Sequence, residues 1–227
     1  MDLNQVYDQQ TVEIMKRILK KDSNCLDIGC HQGAFLSEML KLAPLGTHSG
    51  FEPLPDMYQG LKNTFGKMSN VRLYNCALSD STGPVTFQHV VSNPGYSGLR
   101  KRRYDKEDEL IQEITVNTRL LDDIVERDLL IRFIKIDVEG AELQVLRGAV
   151  ETIKASKPVI VFEHGLGAAD FYGTTPEDIF DLLVTTCGLR LFTLGEWLES
   201  AGRESLGREV FCDHFYSGRH YYFCSAQ

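Results

Sequence analysis

The N-terminal part of the chain alternates short apolar runs with stretches whose apolar residues recur three and four apart, and this alternation constrains the fold more than any other feature. Val12, Met15, Ile18 and Leu19 predict a helix over residues 11–20. NCLDI at 24–28 reads as a buried strand ending in Gly29-Cys30-His31-Gln32-Gly33, and Phe35, Leu36, Met39, Leu40 and Ala43 then supply a helical stripe that stops at Pro44 and Gly46. A second strand over 47–51 ends at Glu52-Pro53, a helix follows over 55–65, and a third strand runs over 71–76. Short connections between strands that each carry a helix predict a parallel sheet with helices on both faces.

The same order returns later. RFIKIDVEGAELQVLRGA, residues 132–149, changes from strand-like to helix-like spacing within a few residues, and it places Asp137 and Glu139 at the strand end and Glu142 in the first helical turn. Residues 120–127 read as a short helix before it, 158–162 (PVIVF) as a fifth strand ending at Glu163-His164-Gly165, and 176–186 as a helix. Residues 189–194 and 221–224 read as the last two strands. No crossover helix fits between Gly218 and Tyr221, so the last strand is expected to enter antiparallel at the sheet edge.

Between these blocks lies an insertion, residues 81–119, with a turn cluster at 80–83, alternating residues at 85–88, a Pro/Gly/Ser loop at 93–98 and an extended piece at 114–118. It contains LRKRRYDKEDELIQ, which reads first as a solvated charged face; the alternative is a lid whose Arg100, Lys101, Arg102 and Arg103 meet an anionic substrate. The insertion is too short for its own core, so one domain over 1–227 is expected, with residues 1–21 as an N-terminal helix.

A net charge of −8 argues against a general nucleic-acid or membrane-surface binder. No run approaches the apolar length of a membrane span, and the N-terminus lacks the basic start and apolar core of a signal peptide. The six cysteines form no Cys-x-x-Cys pair and are expected to be reduced and buried, with the cytoplasm as the expected compartment. Oligomeric state is not legible.

Ligands of open α/β sheets bind at the carboxyl ends of the strands. There, Gly29 and Gly33 let the backbone turn tightly and approach a ligand, in a Gly-x-x-x-Gly spacing that matches neither the dinucleotide fingerprint nor the P-loop. Glu52, at the tip of the second strand, is placed to accept hydrogen bonds from a ribose. Together these favour an adenosine ligand without a pyrophosphate, S-adenosylmethionine. Small and apolar residues at 75–80 can flank an adenine, although a plain strand exit reads the same way locally.

The ordered set Asp27-x-Gly-x-x-x-Gly33, Phe51-Glu52-Pro53, Asn75-x-Ala77-Leu78-Ser79-Asp80, Leu121-Asp122-Asp123 and Lys135-Ile-Asp-Val-Glu-Gly-Ala-Glu142 resembles the FkbM family of S-adenosylmethionine-dependent methyltransferases over roughly residues 22–164. The resemblance implies a class I methyltransferase fold, a seven-stranded sheet with its last strand antiparallel, and O-methylation, often of sugar hydroxyls in glycans or glycosylated natural products. It implies that Asp27, Gly29, Cys30, His31 and Gly33 form the cofactor loop, that Glu52 and Pro53 sit at the ribose, that Ala77 and Leu78 line the adenine, and that Asp137 faces the methionine end or the reacting hydroxyl. Cys30 and His31 depart from the usual Ala and Asn of the family.

An alcohol is a poor nucleophile at neutral pH, so a base or a metal must help it. Asp137 and His164, on neighbouring strand ends, are expected as the catalytic pair; the alternative is a hard divalent cation held by Asp137, Glu163 and His164. In the plainer reading Asp137 binds the cofactor's ammonium, and Glu139 and Glu142 serve the helix start. Cys212-Asp213-His214 lacks a second ligand pair at metal spacing. A small-molecule or glycan acceptor is the expected partner. A nicotinamide-dependent oxidoreductase and a non-catalytic cofactor-binding module are the alternatives on such a sheet.

Overall fold

The computed structural model describes residues 3–104, 106, 108–218 and 221–227; Met1 and Asp2 of the expected first helix lie outside the described residues, as do Asp105, Glu107, Arg219 and His220. The strands of the main sheet are β1 (Asn24–Ile28), β2 (His48–Phe51), β3 (Val71–Tyr74), β7 (Ile131–Ile136), β8 (Val159–Glu163), β9 (Arg190–Thr193) and β10 (Tyr222–Ala226). A second sheet contains β4 (Ala77–Leu78), β5 (Gly83–Val90) and β6 (Ile111–Arg119). The helices are α1 (Leu3–Ile18), α2 (Ala34–Leu42), α3 (Pro55–Phe65), α4 (Glu142–Arg147), α5 (Val150–Ser156), α6 (Pro176–Phe180), α7 (Leu194–Ser200) and α8 (Arg208–Ser217).

The main sheet has the order β3-β2-β1-β7-β8-β10-β9. Every neighbouring pair from β3 to β8 is parallel, and β10 is antiparallel to both β8 and β9. The expected antiparallel last strand is therefore present, but not at the edge. It inserts between β8 and β9, where both of its rows of backbone groups find partners. The reversal of strand order at β1/β7 opens the crevice in which such sheets bind ligands.

Both faces of the sheet are covered, and alternate residues along each strand feed different cores. Leu26, Ile134, Phe162 and Phe223 join one cluster, while their chain neighbours Cys25, Phe133, Val161 and Cys224 join the other. That is why these strands read as near-continuous apolar runs. Two charged residues break the pattern at the centre: Asp27 and Lys135 are buried and stand directly opposite each other in the β1/β7 register.

The insertion after β3 is more ordered than its sequence indicates. β5 and β6 form an eight-residue antiparallel ladder from Gly83/Thr118 to Val90/Ile111, and β4 pairs parallel with β6. Phe87 and Val116 pack with Leu54 and Ala77, so the insertion buries its apolar face against the end of the main sheet. The helix expected over 120–127 shrinks to one 3₁₀ turn, Leu121–Asp123, and Asp122 caps α5 instead by accepting from Glu151 and Thr152 N–H. α7 carries a reciprocal cap between Thr193 and Glu196. All six cysteines are free, and Cys212 alone among them is not buried.

Candidate active site at the strand ends

The loop after β1 is shaped by three residues in left-handed conformation, Gly29 (φ 75°), His31 (φ 46°) and Gly33 (φ 79°). Any Cβ on Gly29 would overlap the carbonyl of Asp137, so the glycine lets the loop lie directly against the end of β7. Gly33 packs in the same way on Leu61 and Phe65 of α3. His31 occupies a backbone region in which Asn, Asp and His are enriched among non-glycine residues.

Two carboxylates hold the loop from below and from the side. Asp27, buried under it, accepts the Leu36 N–H at the start of α2 (3.0 Å), and its other oxygen has no protein partner. Burial pushes its pKa up to about 6 against the pull of Lys135. Glu52 accepts from His31 N–H (2.8 Å) through one oxygen and from Leu54 N–H (2.9 Å) through the other. Its burial outweighs both hydrogen bonds and pushes the pKa up to about 7. Asn75 donates to the Glu52 and Pro53 carbonyls, which ties the end of β3 to the tip of β2.

These elements enclose a cleft with about 580 Å³ of empty space, counted to its open mouth. Of the residues singled out in the sequence, Gly29, His31, Glu52, Pro53, Ala77, Leu78 and Asp137 line it. Asp27, Cys30 and Gly33 support it from behind. The insertion, for which the sequence offers a lid as the alternative through its basic run, reaches the cleft by residues that the sequence does not single out: Phe87, Ser97 and Leu99 form a wall of it.

At one end of the cleft the polar groups converge. Asp137 Oδ2 accepts from Lys135 Nζ (3.0 Å) and from Tyr222 Oη (2.9 Å). Burial raises its pKa, but the Lys135 charge and the two hydrogen bonds prevail and hold it below the usual carboxylate range. Glu139, forced into a left-handed conformation (φ 61°), forms an ion pair with Arg102, whose guanidinium also lies over the Tyr96 ring. Glu142 turns back to accept from Val138 and Gly140 N–H, so it fixes the turn in which Glu139 is presented. Burial pushes the Glu142 pKa up to about 7.

The carboxylates of Asp137, Glu139 and Glu163 come within 4.8 Å of one another. Lys135 and Arg102 neutralise two of the three, so the cluster has its own counter-ions. His164 is not in this group. Alternation along β8 sends it to the other side, where its ring stacks on Phe215 (4.6 Å between centroids) and lies near Phe211 (6.2 Å). Neither ring nitrogen has a protein partner, and burial lowers its pKa to about 3. The structure thus brings Glu163 to Asp137 and leaves the expected Asp137/His164 pair, and the Asp137/Glu163/His164 ligand set, unassembled. Cys212, Asp213 and His214 lie on α8, outside the carboxylate cluster.

The basic run folds back onto the same end. Arg103 N–H donates to the Gly167 carbonyl, Arg100 N–H donates to Tyr172 Oη, and the Arg100 guanidinium donates to the Phe171 carbonyl. These contacts join the insertion to the loop after β8.

A seven-stranded sheet of this order, with its antiparallel inserted strand and a cleft at the β1/β2/β7 ends, is the class I methyltransferase fold. Residues 27–191 match the methyltransferase FkbM domain, and the chain belongs to that family. It is 30% identical over 158 residues to 2-O-methyltransferase NoeI of Sinorhizobium fredii, covering 64% of this chain and 65% of that protein. It is 25% identical over 188 residues to hexuronic acid methyltransferase AglP of Haloferax volcanii, covering 78% of this chain and 67% of that protein. The chain therefore spans just under two thirds of NoeI. The crystal structure of methyltransferase FkbM from Methylobacillus flagellatus superposes with a TM-score of 0.55 at 18% identity, covering 81% of this chain and 44% of that one. Among the described residues no helix is long and apolar enough to cross a membrane.

Proposed function

We propose that the protein is an S-adenosylmethionine-dependent O-methyltransferase whose acceptor is a hydroxyl of a sugar, glycan or glycosylated small molecule. The observation that carries this reading is the cleft itself. It sets a backbone-lined glycine turn beside Glu52, whose two oxygens each take one backbone N–H and keep a second lone pair for the ribose hydroxyls. Apolar walls from Phe51, Leu78 and Phe87 suit an adenine, and the Asp137 end suits the methionine ammonium.

When bound, S-adenosylmethionine supplies an electrophilic methyl group. The protein's part is to orient and to exclude water. The Asp137–Lys135–Tyr222 set is pre-organised by its own hydrogen bonds, so it needs little rearrangement when a ligand arrives. In this reading the insertion acts as a lid, because Ser97 and Leu99 wall the cleft while Arg100, Arg102 and Arg103 fasten it to the β7 and β8 ends. The sugar acceptor is supported by the names of two relatives, a 2-O-methyltransferase and a hexuronic acid methyltransferase.

The test is transfer of label from methyl-tritiated S-adenosylmethionine to p-nitrophenyl hexosides, 6-deoxyhexosides and hexuronides. The expected product is a base-stable methyl ether. Label released by mild base would mark a methyl ester and contradict transfer to a hydroxyl.

A further inference from the structure

We infer that Glu163 is the group that takes the proton from the acceptor hydroxyl during methyl transfer. The inference rests on the O-methylation reading above and assigns a role within that site. Asp137 and Glu139 line the end of the cleft, Glu163 lies beside them in the same carboxylate cluster, and the first two already have cationic partners. Asp137 accepts from Lys135 and Tyr222, and Glu139 is paired with Arg102. Glu163 stands within 4.8 Å of both, at the last position of β8, half-buried, with neither a salt bridge nor a side-chain hydrogen bond among the described residues. It is therefore the carboxylate of the cluster with both oxygens unpaired among the described residues.

The chemistry of the surroundings agrees. Burial, together with the negative charges of Asp137 and Glu142, pushes the Glu163 pKa up to about 8 against the pull of Arg102 and Lys135. A base is most effective when its pKa lies near the working pH, whereas Asp137 is held low and is a weak base. Other titratable groups facing this corner are Tyr7 and Asp8 on α1 and Tyr222 on β10, all with pKa values raised first by burial, and His31 after β1, whose pKa burial lowers. In the step, the hydroxyl proton moves to the Glu163 carboxylate and the oxygen's electron pair forms the new bond to the methyl carbon. The carbon–sulfur bond breaks with its pair going to sulfur. The products are a methyl ether, S-adenosylhomocysteine and a neutral Glu163 side chain, so charge balances.

Glu163→Gln keeps size and shape but cannot accept the proton, and Glu163→Asp keeps the base on a shorter stem. Calorimetry with S-adenosylhomocysteine comes first. If the wild type does not bind it, the donor reading fails and Glu163 is not implicated. With binding established, Glu163→Gln is expected to keep its Kd for S-adenosylhomocysteine within about threefold and to lose about a hundredfold or more in turnover of the methylated p-nitrophenyl glycoside. Glu163→Asp is expected to recover part of that loss. Turnover by Glu163→Gln within about threefold of wild type overturns the assignment, and so does wild-type activity abolished by EDTA and restored by Mg²⁺. A second measurement needs no acceptor: carbodiimide with glycine ethyl ester is expected to modify Glu163 in the S-adenosylhomocysteine complex. An unmodified Glu163 there also overturns the assignment.

Discussion

Lys135 Nζ donates to Asp137 Oδ2 at 3.0 Å, two residues along the same side of β7, and the pair sits opposite Asp27 in the next strand. The lysine is buried; its desolvation is outweighed by the charges of Asp137 and Asp27, which keep it firmly protonated. Removing one partner of such a pair strands the other charge. Lys135→Met is therefore expected to cost about 3–5 kcal/mol in urea unfolding. Adding Asp137→Asn should recover part of that loss, and a double mutant that merely sums the two single effects would refute the coupling.

Gly29→Ala is expected to destabilise by about 3 kcal/mol, because it adds both left-handed strain at φ 75° and an overlap with the Asp137 carbonyl. Thermal unfolding gives the size. Binding of the proposed cofactor should fall with it, since the loop after β1 and the β7 end would be pushed apart.

His164 is buried neutral among aromatic rings, so its depressed pKa has a definite sign. Its stabilising neutrality is complete above the unfolded value near 6.5 and is lost as pH falls towards about 3. At pH 5 the wild type thus gives up about 2 kcal/mol at this site. His164→Phe, matching Phe211 and Phe215, should raise the melting temperature at pH 5 and leave methyl transfer intact. A loss of turnover with unchanged stability would return His164 to the catalytic set.

On the alkaline side Glu52, Glu142 and Glu163 act in the opposite sense. Their folded pKa values, about 7, 7 and 8, lie above the ordinary 4.5, so their contribution is full below that value and is lost as pH rises through 7 to 8. The ligand-free protein should melt lower at pH 8.5 than at pH 6. Glu142→Gln should flatten that fall, as a series of melting curves would show.

Much of this was legible in the sequence because the physics was local. The Gly-x-x-x-Gly turn, Glu52 at a strand tip and KIDVEGAE each announce themselves within a few residues, and each lines or supports the cleft. What the sequence hid depends on pairing at a distance. β6 needs β5 to be recognised, and the position of β10 between β8 and β9 follows from partners that no local pattern encodes. Glu163 and His164 differ only in which side of β8 they face, and a shift of one residue exchanges them. The alternation of Val159, Ile160, Val161 and Phe162 gave no sign of the correct side, because both faces of that strand are apolar. The cap of α7, Thr193 with Glu196, was a readable signal that sequence inspection passed over.

In the proposed function the cleft is the site for S-adenosylmethionine, with Glu52 as its ribose anchor. Titration calorimetry of the wild type and of Glu52→Ala with S-adenosylhomocysteine and with NAD tests this directly. The expected result is binding of S-adenosylhomocysteine with one site per chain, at least tenfold weaker in Glu52→Ala, and no heat with NAD. Binding of NAD in preference, or S-adenosylhomocysteine binding unaffected by the loss of Glu52, would contradict it.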